Sequence, residues 1–122
     1  MAKTILIVDD SSSVRSVVGI ALRGAGYHVI EGRDGRDALA QLTGQKVHLI
    51  ISDVNMPHMD GITFLKHVKA LPAYRFTPVI MLTTESQEAK KREGQLAGAK
   101  AWVVKPFQPP VLLSAVEKLV LP

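Results

Sequence analysis

The sequence has 122 residues, of which 47% are hydrophobic and 21% charged, values typical of one soluble globular domain with a single core. It contains no cysteine and no apolar run near the roughly 18 residues that span a bilayer, so we expect neither disulfides nor membrane insertion. The net charge of +4 is scattered, and only three Phe, two Tyr and one Trp are present, which argues against a nucleic-acid partner. We therefore expect one cytoplasmic domain over residues 1–122.

The first half of the chain alternates buried strands with helices. Thr4–Val8 is apolar and rich in β-branched residues, which predicts a strand that ends at Asp9 and Asp10. Three serines then offer a cap for apolar residues at helical spacing. The expected elements are a strand at 4–8, a helix from Ser11–Ser13 to Gly24–Gly26, a strand at 27–30, a short helix capped by Asp34 and closed by Gly44, and a strand at 49–52.

The second half repeats this alternation. Pro57 and Gly61 predict a defined loop after Asp53, with a positive φ available at Gly61. The expected elements are a helix from Ile62 that ends before Pro72, a strand at 79–82, a helix at about 86–97, a strand at 101–104 and a helix from Pro109 or Pro110. The helix at 86–97 has few apolar residues and an internal Gly94, so we expect it to be the least firmly anchored.

Five strands alternating with five helices predict a single (βα)5 domain, a flavodoxin-like three-layer sandwich with a parallel five-stranded sheet. The strand order expected for this class is 2-1-3-4-5, and its ligands bind where strands 1 and 3 diverge at their carboxyl ends. Four strand ends carry polar side chains that would meet there. These are Asp9 and Asp10, Asp53, Thr83 and Lys105.

The polar residues at the strand ends predict phosphoryl chemistry. Three crowded carboxylates need a cation, and an all-oxygen site suits Mg²⁺. Lys105 would offset negative charge on a phosphoryl group, and the Thr83 hydroxyl would donate to one of its oxygens. Asp53 would be the nucleophile in phosphoryl transfer onto a carboxylate.

Four motifs resemble the receiver domain of two-component response regulators, and more narrowly the stand-alone chemotaxis response regulators (CheY-like). The resemblance covers residues 4–121, and the motifs are ILIVDD, DVNMPHMDG, MLTTES and WVVKPF. It implies that Asp53 is the phosphoacceptor and that Asp10, Asp53 and the backbone carbonyl of Asn55 bind Mg²⁺ directly. Asp9 would bind the metal through water, and Mn²⁺ would be able to replace Mg²⁺. It also implies a cis Lys105–Pro106 bond and a phosphate-contacting Lys105.

The resemblance also implies how the signal is transmitted and timed. Thr83 corresponds to the switch threonine, and Trp102 takes the place of the family's switch aromatic, usually Tyr or Phe. Trp is bulkier and its N–H needs a partner, so we expect Trp102 to move less freely. Asn55 and Glu85 occupy the positions that tune the lifetime of the phosphoryl group, in the pair associated with chemotaxis regulators. Thr84 is larger than the residue usual at its position and would narrow access to the site.

The expected partners follow from the same resemblance. They are a chemotaxis-type histidine kinase, a downstream motor-switch or other protein target, and a phosphatase that shortens the signal. We expect a monomer without an output domain, and no enzyme activity beyond its own phosphorylation and dephosphorylation. Gln87 and Glu88 stand where relatives that bind the flagellar motor carry lysines. A role in pilus motility, or as a phosphate sink without a motor target, therefore remains an alternative.

Two other functions share parts of the pattern. An aspartate-nucleophile phosphatase would need its two carboxylates in an Asp-x-Asp arrangement, whereas Asp9 and Asp10 are adjacent and would point apart. A flavodoxin-like cofactor binder would use Ser11–Ser13 as a phosphate cradle at a helix N-terminus. The neighbouring carboxylates would repel a flavin phosphate, and few aromatics are present to hold the ring.

Overall fold

Strands and helices alternate along the whole chain in the structure, a computed structural model that describes residues 2–122. The elements are β1 (Thr4–Val8), α1 (Ser12–Gly24), β2 (His28–Gly32), α2 (Gly35–Gln41), β3 (Leu49–Ser52), α3 (Gly61–Ala70), β4 (Val79–Thr83), α4 (Glu88–Ala97), β5 (Ala101–Val104) and α5 (Pro109–Leu119). Within residues 2–122 the longest helix has 13 residues, and no helix combines the length and apolar character needed to cross a membrane.

The five strands form one parallel sheet in the order β2-β1-β3-β4-β5, which confirms the predicted topology. Successive residues of a strand face opposite sides, so each strand contributes to two cores. On one side Leu6 and Val8 pack in a cluster with Phe64 of α3. On the other side Ile7 packs in a cluster with Leu22 of α1 and Val116 of α5. The result is the expected three-layer sandwich.

Three elements differ from the prediction by more than one residue at a boundary. β2 spans His28–Gly32 rather than 27–30, because it pairs with all five residues of β1. α2 ends at Gln41, and Gly44, with φ 102°, forms the turn beyond it. α4 begins at Glu88 rather than near Ser86, and Gln87 at its N-cap makes no side-chain capping bond.

Side-chain caps begin three of the helices. Ser11 Oγ accepts from the Val14 N–H, and the Asp34 carboxylate accepts from the Asp37 N–H, as the sequence predicted. Asp60 caps α3, because its Oδ1 accepts from the N–H groups of Ile62 and Thr63. Sequence reasoning missed this cap. α4 buries only Gly94, the fewest residues of any of the five helices.

Candidate functional site

Asp53 lies just beyond β3, where the sheet presents the carboxyl ends of its central strands. Its backbone N–H donates to the Val8 carbonyl at 2.9 Å, which ties the end of β3 to the end of β1. The side chain is almost fully buried, and its Oδ1 accepts from the Val54 N–H at 2.7 Å. One carboxylate oxygen is therefore held by the backbone, while Oδ2 faces the groups at the neighbouring strand ends.

Asp9 and Asp10 follow β1 and lie beside Asp53. Asp9 is 2% exposed, and its Oδ1 accepts from the Ser11 N–H at 2.9 Å. Asp10 is exposed. Carboxylate oxygens of Asp9, Asp10 and Asp53 all lie within 4.8 Å of one another. The predicted convergence of carboxylates at this edge of the sheet is present.

Lys105, which follows β5, joins two of these carboxylates. Its Nζ donates to Asp9 Oδ2 at 2.8 Å and to Asp53 Oδ2 at 3.2 Å. Burial alone would lower the pKa of Lys105, but the hydrogen bond to Asp9 and the charges of Asp53 and Asp9 outweigh it and raise that pKa. Burial raises the pKa of Asp9, and the bonds from Lys105 and the Ser11 N–H counter it only in part.

The donor set fits a divalent metal ion. The site contains three carboxylates and one ammonium group, so its formal net charge is −2. All the side-chain atoms available as metal ligands are oxygens. Mg²⁺ prefers oxygen ligands and keeps several waters, which suits a site with an exposed member such as Asp10. Asn55 is exposed next to this cluster, and its own N–H lies 3.4 Å from Asp53 Oδ1.

Thr83 and Trp102 form a second group at the site, joined through Glu85. Thr83 is fully buried at the end of β4, and its Oγ1 accepts from the Glu85 N–H at 3.1 Å. The Trp102 Nε1–H donates to the Glu85 carbonyl at 2.9 Å, which supplies the partner that the indole was expected to need. The Lys105 N–H donates to the Thr83 carbonyl at 2.8 Å, so the two groups share a backbone connection. Thr84 is exposed.

The backbone around the site agrees with most expectations. The Lys105–Pro106 bond is cis, as predicted. Gly61 does not use the positive φ that was available to it: in the loop after Asp53 the positive φ of 68° belongs to His58. Gly61 instead begins α3 so close to Asp53 that a Cβ on it would lie 1.9 Å from the Asp53 carbonyl oxygen. Glycine is therefore required there by close approach rather than by its φ.

Sequence reasoning missed Arg15, which supports the acidic turn after β1. Its Nη1 donates to the Asp9 carbonyl at 2.6 Å, and its Nε donates to Glu31 Oε1 at 3.1 Å. The only signal in the sequence is a cation near the start of α1, where the helix dipole disfavours positive charge. A tertiary partner explains why an arginine stands at that position.

Comparison with known proteins agrees with this geometry. The sequence model of the response regulator receiver domain family matches residues 5–117. The chain is 38% identical over 116 residues to the chemotaxis protein CheY of Pseudomonas aeruginosa, covering 94% of each chain. It is 35% identical over 116 residues to a gliding motility regulatory protein of Myxococcus xanthus, of which it covers 15%.

Solved structures give the same result. The fold matches the crystallized Vibrio cholerae chemotaxis protein CheY4 with a TM-score of 0.94 and 46% identity, covering 98% of this chain and 100% of that one. The strand order, the clustered carboxylates and these similarities all point the same way. The chain belongs to the response regulator receiver domain family and is similar to its chemotaxis members.

Proposed function

We propose that this chain is a phosphorylation-gated response regulator of chemotaxis or motility signalling, which accepts a phosphoryl group on Asp53 from a histidine kinase and then binds a protein partner. The observation that carries the proposal is the Lys105 ammonium, which bridges Asp9 and Asp53 beside a cluster of three carboxylates. The names of similar proteins, chemotaxis and gliding motility regulators, support the biological setting.

Phosphoryl transfer onto Asp53 would form a bond between a carboxylate oxygen and phosphorus. The bond between phosphorus and the nitrogen of the donor histidine would break, and that nitrogen would keep the electron pair. Lys105 would offset the charge on the phosphoryl oxygens, and the Thr83 hydroxyl would donate to one of them. A bound Mg²⁺, held by Asp10, Asp53 and the Asn55 carbonyl and reached by Asp9 through water, would supply further positive charge.

Phosphorylation would change the partner-binding surface by altering the hydrogen bonds that join Thr83, Glu85 and Trp102. If the Thr83 hydroxyl turns toward the phosphoryl group, it ceases to accept from the Glu85 N–H, and the Glu85 carbonyl that holds Trp102 becomes free to move. The expected partner surface is formed by α4, β5 and α5. Each of these elements exposes one large apolar side chain, namely Leu96, Val104 and Val111.

Incubation with Mg²⁺ and acetyl phosphate, followed by mass mapping of the modified residue, tests the proposal. We expect one acyl phosphate, on Asp53, that requires Mg²⁺ and is absent from Asp53→Asn. Asp60→Asn is the matched control, because it removes a carboxylate from the same loop and should leave phosphorylation intact. Hydrolysis of an external phosphate ester that is lost in Asp9→Asn but kept in Asp53→Asn would contradict the proposal and favour a phosphatase.

A further inference from the structure

A cleft opens at the edge of the sheet formed by the amino ends of the strands, opposite the edge that carries Asp53. It lies between the end of α3, the loop before β4 and the turn between α4 and β5, and its volume is about 340 Å³. We call it the basic cleft, and its lining residues are Lys69, Arg75, Phe76, Ala97, Gly98 and Lys100. This volume is at the small end of the range for ligand sites, so a small ligand would fill it.

The basic cleft carries positive charge that the protein itself leaves unneutralised. Three of its six lining residues are cationic, and neither of the stretches that supply them, 61–84 and 94–116, contains an Asp or Glu. Within residues 2–122, the ion pairs of 4.0 Å or less include none made by Lys69, Arg75 or Lys100. An anion is the ligand that such a cleft would attract.

Lys69 is a cation of the basic cleft whose side chain is held in place by contacts with the rest of the fold. Its Nζ donates to the Thr77 carbonyl, and its stem packs on Gly98, where a Cβ would lie 3.3 Å from Lys69 Cε. Burial and the nearby charge of Lys100 lower the pKa of Lys69. An ammonium has three donors, and the carbonyl uses one of them. A phosphate oxygen bound to the others would relieve the repulsion between the two lysines.

The rim of the cleft adds an aromatic surface. Phe76 is 80% exposed, and the Arg75 guanidinium lies 5.4 Å from the centroid of its ring. This cation–π contact holds both side chains beside the lysines. An exposed aromatic ring next to cations is the combination on which planar bases stack while their phosphates are held.

We propose that the basic cleft binds a small phosphate-bearing ligand, with its phosphate group on Lys69 and Lys100 and a planar ring against Phe76. Nucleoside monophosphates have this chemistry. The site is separate from Asp53 and requires neither Mg²⁺ nor phosphorylation of the chain.

Titration of the full chain with adenosine monophosphate, inorganic phosphate and adenosine, followed by amide NMR shifts without Mg²⁺, tests the site. We expect shifts at residues 75–77 and 97–100 with the two phosphates and none with adenosine. Joint substitution Lys69→Gln and Lys100→Gln should raise the Kd for adenosine monophosphate about tenfold or more, since charged hydrogen bonds are lost. The matched pair Lys90→Gln and Lys118→Gln removes the same charge from exposed positions and should leave that Kd within about twofold.

Other outcomes separate the parts of the proposal. Phe76→Ala should raise the Kd for adenosine monophosphate and not for inorganic phosphate; an unchanged Kd would overturn the role given to the ring. Shifts centred on Lys105, equal weakening by the control pair, or no binding of either phosphate would overturn the site itself. Unfolding midpoints of the variants show that they fold, and Asp53→Asn should bind as the unmodified chain does, so this test is independent of the proposed function.

Discussion

His48, immediately before β3, is the residue whose protonation bears most directly on the sheet. Its Nδ1 accepts from the Thr4 N–H at 2.9 Å, its N–H donates to the Thr4 carbonyl at 2.8 Å, and its carbonyl accepts from the Leu121 N–H at 3.1 Å. Burial and the charges of Lys46 and Lys3 lower its pKa below the usual 6.5. The neutral ring thus joins the beginnings of β1 and β3 and the C-terminal residues.

The first prediction concerns this histidine and pH. The unfolded chain binds the His48 proton more readily than the folded chain. The contribution of His48 to the free energy of unfolding is therefore fully present above about pH 6.5 and is lost as the pH falls below it. We expect the free energy of unfolding in urea to decrease by about 1 kcal/mol on acidification, the value of one lost hydrogen bond. His48→Asn keeps an acceptor but cannot be protonated, so it should reduce this pH dependence. His67→Asn, on the exposed face of α3, should not; equal slopes in all three proteins would show the idea to be wrong.

At the scale of the elements, α4 and β5 approach each other closely at Gly94 and Trp102. A Cβ on Gly94 of α4 would lie 2.8 Å from Cζ3 of Trp102 in β5, so the ring occupies the space that any other residue at position 94 would need. Gly94 is also the buried residue of α4. The position of this helix and that of Trp102 are therefore coupled through one glycine, whose intrinsic helix propensity is poor.

The second prediction is that Gly94→Ala displaces Trp102. Overpacking costs about 1–3 kcal/mol, whereas alanine gains about 1 kcal/mol in helix propensity, so we expect a net loss of about 1 kcal/mol in unfolding free energy. Trp102 is the one tryptophan of the chain, so its fluorescence reports the displacement directly, and we expect emission to shift to the red. Gly24→Ala is the matched control, because nothing lies within 4 Å of a Cβ there. Unchanged fluorescence in Gly94→Ala would mean that the ring does not limit position 94.

At the scale of the whole molecule, stability and metal binding should be linked through the carboxylate cluster. Three carboxylates within 4.8 Å of one another repel in the folded chain, and Lys105 neutralises only part of that charge. Unfolding separates them, so a divalent cation that binds the folded chain should shift the folding equilibrium.

The third prediction follows from this linkage. At a Mg²⁺ concentration ten times its Kd, we expect the unfolding free energy to rise by about 1.4 kcal/mol. Asp10→Asn should stabilise the metal-free protein by about 1 kcal/mol and remove most of the Mg²⁺ increment. Glu117→Gln, an exposed carboxylate on α5, should change neither quantity. Urea titrations with and without Mg²⁺ measure both, and a Mg²⁺ increment that survives in Asp10→Asn would rule out the assigned site.

The amino-acid sequence was enough to predict the order of strands and helices, the sheet topology and the residues at the strand ends. Apolar runs such as Thr4–Val8 and Leu49–Ser52 are local signals, and parallel strands bring their carboxyl ends to one edge whatever the loops between them do. For that reason Asp9, Asp10, Asp53 and Lys105 could be predicted to meet. Their roles in binding metal, and those of Asn55, Thr84 and Glu85 in timing, stay predictions.

The contacts that support the site could be seen only in the folded chain. The approach of Gly61 to the Asp53 carbonyl, the bond from Arg15 to the Asp9 carbonyl and the Trp102 bond to Glu85 leave no periodic pattern in the sequence. The length of β2 was likewise set by its partner β1 rather than by its own residues. Each of these depends on atoms that only the assembled sheet brings within contact distance, so local propensity carries no information about them.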